Sequence, residues 1–172
     1  LSETLILLFR FPSPVANELE KLITVGLFGL GTVGTGVVKA LERHHDLIRN
    51  RSGYSIRVKT ICVRNLERAR EANTAKYKVT PNSEHLLNDP EINVVIEAIG
   101  SIEPAKSYVK AALERGKHVV TANKALISKY GQELFELAAK NSVNLAFEAS
   151  VCGSIPIIKG IRESFVANSI SS

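Results

Sequence analysis

Along the chain, dense apolar runs alternate with stretches whose apolar residues recur every three or four positions. Residues 24–28 form the first run, rich in strand formers and closed by Gly29. From Thr32 the apolar positions Val33, Val37, Val38 and Leu41 recur with helical spacing. Residues 55–63 alternate in part, with Ile56, Val58 and Thr60 on one face of a strand. Residues 66–72 read as a charged helical stretch, and Pro81, Asn82 and Ser83 cap a short helix leading to Asn88, Asp89 and Pro90. Residues 93–99 are almost continuously apolar, as in a strand buried on both faces. A helix over 104–115 stops at Gly116. A strand at 118–121, a helix at 131–140 and a strand at 144–147 follow, and Ile155 and Pro156 open a last helix to about Ser164.

Strand and helix therefore alternate with short connections. That order predicts an α/β fold, a doubly wound and mostly parallel sheet with helices on both faces. The two ends differ from this body. Pro12 and Pro14 break any long helix in residues 1–22, where Asn17 is placed to cap a short helix through Leu22. A strand starts near Val166 without a partner in the remaining sequence. The expected organisation is an N-terminal appendage at 1–22, one domain at 23–150, and at 151–172 a hinge helix with the incomplete start of a second domain.

Composition narrows the function classes. The chain has 172 residues, 45% hydrophobic and 23% charged, which fits one globular domain and excludes disorder for its bulk. No apolar run approaches the roughly 18 residues of a membrane span. Two cysteines, Cys62 and Cys152, make no disulfide scaffold. The run from Leu5 to Phe9 is too short for a signal-peptide core and follows Glu3, so the expected location is the cytoplasm. With no methionine in the chain, Leu1 is not an initiator. The net charge of +5 is spread along the chain and only 6% of residues are aromatic, which argues against a nucleic-acid partner. A small polyanion remains a candidate ligand, provided a specific cradle exists.

That cradle is Gly29-Leu30-Gly31-Thr32-Val33-Gly34, a GxGxxG segment that follows a strand and opens a helix. Gly29 permits the tight turn, Gly31 lets a pyrophosphate approach the backbone, and Gly34 lets the helix pack closely on the strand. Free amides near Thr32 and Val33 then meet the phosphate along the helix dipole. This is the Rossmann signature of dinucleotide binding. An acid at the end of the second strand would hold a free ribose 2′-hydroxyl, but Cys62 and Val63 are followed there by Arg64 and Asn65. A guanidinium suits a 2′-phosphate, so NADP is preferred over NAD. The alternatives are an Arg64 that is merely solvated, or one that stacks on adenine without discriminating.

In an open parallel sheet ligands sit at the carboxyl ends of the strands. Gly100 and Ser101 follow one strand, and Thr121, Ala122, Asn123 and Lys124 follow the next. These two loops should flank the nicotinamide. Lys124 is a candidate to hold a substrate oxygen or to pass a proton. Glu97 lies in an apolar strand and reads as a local hydrogen-bond partner. His44 and His45 point about 100° apart on a helix and cannot share a metal.

Four segments then carry a specific resemblance: Gly29 to Gly34, Val95 to Ala105, Gly116 to Leu126 (with TANKAL), and Phe147 to Ile158 (with EASV followed by CGSIPII). Together they resemble homoserine dehydrogenase over about residues 22–172. The resemblance implies an NAD(P)-dependent enzyme that interconverts aspartate semialdehyde and homoserine for threonine, methionine and isoleucine synthesis. It implies cofactor contacts at Leu30, Thr32, Val33, Arg64, Gly100, Ser101 and Lys124, with Lys124 near nicotinamide and substrate. It also implies a homodimer, and a sodium ion held by Glu148 and the carbonyls of Val151, Gly153 and Ile155. Without the resemblance, Glu148 reads equally as a partner of loop amides. The family's other functional lysine has no counterpart here, so this part is expected to bind a dinucleotide and to be inactive alone.

Departures from the family fall at Cys152, Ser154 and Asn65. Cys152 is expected to be a small buried filler, and Asn65, where the family often has Asp, adds to the NADP preference. Two other classes compete: a different semialdehyde- or amino-acid-linked Rossmann dehydrogenase, and a dinucleotide-sensing regulatory module with no use for Lys124.

Overall fold

The computed structural model describes residues 21–67, 74–152 and 155–164. Six strands form one sheet: β1 (Lys21–Phe28), β2 (Tyr54–Cys62), β3 (Lys78–Thr80), β4 (Val94–Glu97), β5 (His118–Thr121) and β6 (Leu145–Ala146). Their spatial order is β3-β2-β1-β4-β5-β6, and every pairing is parallel. The chain therefore winds outward from β1 in one direction, then crosses back to β4 and winds outward in the other. The predicted doubly wound sheet is what forms.

Helices α1 (Thr32–Arg43) and α2 (His45–Ser52) follow β1, α3 (Glu84–Leu87) precedes β4, and α4 (Ala105–Glu114) links β4 to β5. Helix α5 (Lys124–Lys140) links β5 to β6, and α6 (Ile157–Ser164) comes last. Alternation along each strand divides the core in two. Val25 and Leu27 face Val37, Val38, Leu41 and Ile48 of the first two helices. Phe28, Val95 and Val119 join Leu86, Val109, Leu113, Leu126 and Leu134 on the opposite side. Both faces of the central strands are thus apolar, as a covered parallel sheet requires.

Four expectations change. Helix α1 agrees with the helical spacing from Thr32 to Leu41, but a second, unexpected helix, α2, follows the break at His44 (φ −108°, ψ 19°) and ends at Gly53, whose φ of +73° leads into β2. Strand β3 was not anticipated. Helix α5 starts at Lys124 rather than at 131, because the Asn123 carboxamide accepts the Leu126 N–H and caps it. Lys21 and Leu22 belong to β1 and not to a helix, since Lys21 already pairs with Tyr54. Residues 1–20, the helical reading over 68–72 and the strand expected near Val166 lie outside the described residues.

Candidate functional site

The site grows from the turn after β1. Gly29 has φ +91°, and its N–H donates to the Cys62 carbonyl at 2.9 Å, pinning the turn to the end of β2. A side chain at Gly29 would meet the Ala98 carbonyl oxygen 2.8 Å away, so the turn also lies against the end of β4. A Cβ at Gly34 would collide with the Gly29 carbonyl, which is how closely α1 approaches the strand. Gly31 differs from both: a Cβ there would meet no protein atom within 4 Å. It faces open space at the N-terminus of α1, which carries no side-chain cap. The first-turn amides are directed toward that space, and the helix dipole adds partial positive charge.

This open space is part of a cleft of about 740 Å³ at the carboxyl edge of the sheet. Leu30, Gly31, Thr32 and Thr35 form one wall and Cys62, Val63, Arg64 and Asn65 another. Ile99, Ser101 and Pro104 close the third side, with Tyr108 stacked on Phe28 (ring centroids 4.5 Å apart). The volume lies in the range of about 300–1,000 Å³ seen for ligand pockets. Burial pushes the Cys62 thiol up to about 11, so this wall presents a neutral sulfur at neutral pH. The Arg64 side chain is exposed at the rim. An uncapped helix N-terminus, a glycine with no Cβ and a cleft of this size fit a dinucleotide.

Gly100, Thr121, Asn123 and Lys124 do not line this cleft. They sit beside it at the ends of β4 and β5, where a small apolar hollow of about 30 Å³ is lined by Val33, Ala98, Ala122 and Ala149. Ala98 borders both spaces. Gly100 has φ +85° and is exposed, as is Ser101, whose hydroxyl donates to the Glu103 carbonyl at 2.8 Å. Lys124 is exposed at the first position of α5. Thr121 is fully buried, and its hydroxyl donates to the Glu97 carboxylate at 2.5 Å. The other Glu97 oxygen accepts the Ile99 N–H at 2.7 Å, so Glu97 is a local hydrogen-bond partner as its sequence context predicted.

Glu148 is 3% exposed in a 3-10 turn, Glu148–Ser150. Its carboxylate oxygens accept the Ile158 N–H at 3.0 Å and the Lys159 N–H at 3.1 Å, so it closes the N-terminus of α6. Val151 is half-buried, Ile155 is exposed, and Gly153 lies outside the described residues. Among the described residues no group of three or more His, Cys, Asp or Glu side chains stands together as a metal site. Cys152 corrects an expectation. It is exposed, takes φ +50° and belongs to neither core cluster.

Sequence reasoning had missed the cleft positions Cys62, Val63, Pro81, Ile99, Pro104 and Tyr108. The first four lie at or just beyond the carboxyl ends of β2, β3 and β4, so the strand-end rule applied to every strand would have found them. Tyr108 enters only through its stacking on Phe28, which has no signature in sequence.

The family model describing the homoserine dehydrogenase NAD-binding domain matches residues 29–148. A homoserine dehydrogenase of Bacillus subtilis (strain 168) is 43% identical over 151 residues, covering 88% of this chain and 35% of that protein. One from Pseudomonas aeruginosa is 44% identical, covering 88% of this chain and 34% of its own length. The crystal structure of a homoserine dehydrogenase from Thiobacillus denitrificans superimposes with a TM-score of 0.81 at 48% identity, over 87% of this chain and 34% of that one. The chain spans about a third of the length of these relatives.

Proposed function

Because the chain belongs to the homoserine dehydrogenase family through its NAD-binding domain, we propose that it is the cofactor-binding part of an enzyme interconverting aspartate semialdehyde and homoserine. The observation that carries this reading is the uncapped α1 N-terminus behind Gly31, opening on a cleft where the sheet reverses direction between β1 and β4. The Thr32 and Val33 amides hold the pyrophosphate there, with Leu30 and Gly29 shaping the turn. Arg64, at the rim beyond β2, holds a ribose 2′-phosphate, and Asn65 beside it adds no negative charge to oppose one. NADP is therefore preferred to NAD. Ala98, which borders both spaces, together with Gly100 and Ser101 beside it, would hold the nicotinamide half.

When bound, the dinucleotide supplies the hydride exchanged with the aldehyde carbon. Lys124, at the start of α5, directs its ammonium to the substrate oxygen and stabilises charge developing on it. The remainder of the substrate site falls in the part of the relatives that the match does not span. Glu148 would hold a sodium ion together with the carbonyls of Val151 and Ile155; Gly153, expected as a further ligand, lies outside the described residues. Each carboxylate oxygen accepts one amide and keeps a lone pair, which suits a hard cation. The full-length enzyme is a cytoplasmic homodimer acting on a small molecule, without a nucleic-acid or membrane partner. Among the described residues no helix is long and apolar enough to cross a membrane.

Titration of the chain with NADPH and with NADH tests the reading. Tighter NADPH binding is expected; equal or reversed affinities would remove Arg64 as a 2′-phosphate ligand. Gly31→Val should abolish binding of either dinucleotide by filling the space left for the pyrophosphate.

A further inference from the structure

Glu97 is a carboxylate with no solvent exposure at the end of a central strand whose other residues, Val94, Val95 and Ile96, are apolar. Burying an ionised carboxylate is costly unless it is paired or well hydrogen-bonded. Valine or leucine would satisfy this strand at no such cost. The hydrogen bonds around Glu97 give the reason for the carboxylate.

They form a closed ring. The Glu97 carboxylate accepts the Thr121 hydroxyl on one oxygen and the Ile99 N–H on the other. The Thr121 hydroxyl, with its proton committed to Glu97, accepts the Asn123 N–H at 3.0 Å. The Asn123 carboxamide donates to the Ser101 carbonyl at 2.8 Å and accepts the Leu126 N–H at 3.1 Å. Ile99 and Ser101 belong to one short turn, which closes the circuit. Two loops whose Ser101 and Asn123 stand 22 residues apart in sequence are thereby joined by side chains as well as by the Ala122 N–H on the Glu97 carbonyl (3.2 Å). One loop carries Gly100 and Ser101, and the other delivers Lys124 as the first residue of α5.

We propose that Glu97 is a positioning residue: through Thr121 and Asn123 it holds the loops after β4 and β5 in one fixed arrangement against the nicotinamide half of the cofactor. This rests on the dinucleotide reading above. The direction of each bond matters. The carboxylate offers an acceptor on both sides, to the Thr121 hydroxyl and to the Ile99 N–H. A glutamine of the same size has one acceptor: kept on Ile99, it turns a donor toward Thr121, and the buried Thr121 hydroxyl loses the acceptor of its proton while the strand keeps its packing.

The test compares a whole cofactor with its adenosine half on the 172-residue chain. NADPH and adenosine 2′,5′-bisphosphate are titrated against the wild type, Glu97→Gln, Thr121→Val and the double variant. If Glu97→Gln does not fold, Thr121→Val cuts the same ring with a side chain of the same shape. The proposal expects each single variant to lose about tenfold in NADPH affinity, the scale of one hydrogen bond to a charged group. The adenosine half should bind within twofold of wild type, about the scatter of such measurements. The double variant should lose no more than the worse single, since both break one circuit. Unchanged NADPH affinity overturns the proposal. So does an equal fall for both ligands, which would make Glu97 a general stabiliser of the fold. A wild type that binds neither ligand would instead sink the dinucleotide reading itself.

Discussion

An added methyl at Gly34 would run into the Gly29 carbonyl, whereas one at Gly31 would meet no protein atom within 4 Å. Two glycines of one motif are thus required for different reasons. Gly34→Ala forces α1 away from β1 and should cost about 1–3 kcal/mol of stability, the usual scale of overpacking, read from urea unfolding. Gly31→Ala should unfold at the wild-type denaturant concentration yet bind dinucleotide more weakly; a stability loss equal to that of Gly34→Ala would contradict its open position. The chemistry of this turn was legible in the sequence because each glycine in GxGxxG answers a local demand. Glu97 was legible only as a polar residue in an apolar strand. Its partner Thr121 comes from another strand, and the β4–β5 register that places them side by side is a tertiary fact.

Helices and strands were legible where their apolar pattern was long. Helix α4 fell within one residue of its predicted limits, with Ala105, Val109, Ala112 and Leu113 all buried. Strand β3 was missed because Lys78–Thr80 has only Val79 to mark it, and an edge strand supported by pairing to β2 needs no alternating pattern. The early start of α5 was missed because its cap, Asn123, lies within a segment read for its chemistry. Asn123→Ala should cost about 1 kcal/mol for the lost cap, and more if the Ser101 carbonyl is left without a partner. Strand β5 carries a pH dependence of its own. Burial holds the His118 imidazole below the ordinary histidine value of 6.5, and its Nδ1 accepts the Asn144 N–H at 3.0 Å. The unfolded chain takes up this proton more readily, so stability is full at neutral pH and falls as the pH drops through 6.5 toward the lower folded value. Urea midpoints between about pH 7.5 and about pH 5.5 should decline more steeply in the wild type than in His118→Gln. Parallel slopes would dismiss His118 as the titrating group.

Over the whole molecule, the cleft borrows residues from four strand ends and the start of two helices. A ligand seated there ties both halves of the sheet together. Saturation with NADPH at about a hundred times its dissociation constant should add about 2.7 kcal/mol to unfolding stability. Gly31→Val should remove that increment, and a thermal shift that survives the substitution would place the ligand elsewhere. In an enzyme carrying the rest of the relatives' length, Lys124→Ala should lower kcat/KM by about tenfold to a hundredfold, the scale of one charge-assisted hydrogen bond. Near-normal kinetics would leave Lys124 a surface residue. The doubly wound architecture was legible from alternation alone, since right-handed crossovers leave few topologies. The site's walls were legible only in part, because a cleft is made by side chains that meet from distant segments.

The place of β1 in the sheet bears on how the chain reaches this form. Its outer neighbour β2 follows after two helices, but Val25 also pairs with Val94, which the chain reaches only after β2, β3 and α3. Among the described strands, the central strand β1 is made first and completed late. Until residues 94–97 emerge, one edge of β1 is a row of unpaired amides and carbonyls between apolar side chains, a template for the wrong strand or for another chain. Folding dominated by such non-local pairing is slow compared with that of helical bundles. The reversal point that later receives the ligand is therefore also a seam that stays open from the synthesis of β1 until the arrival of β4.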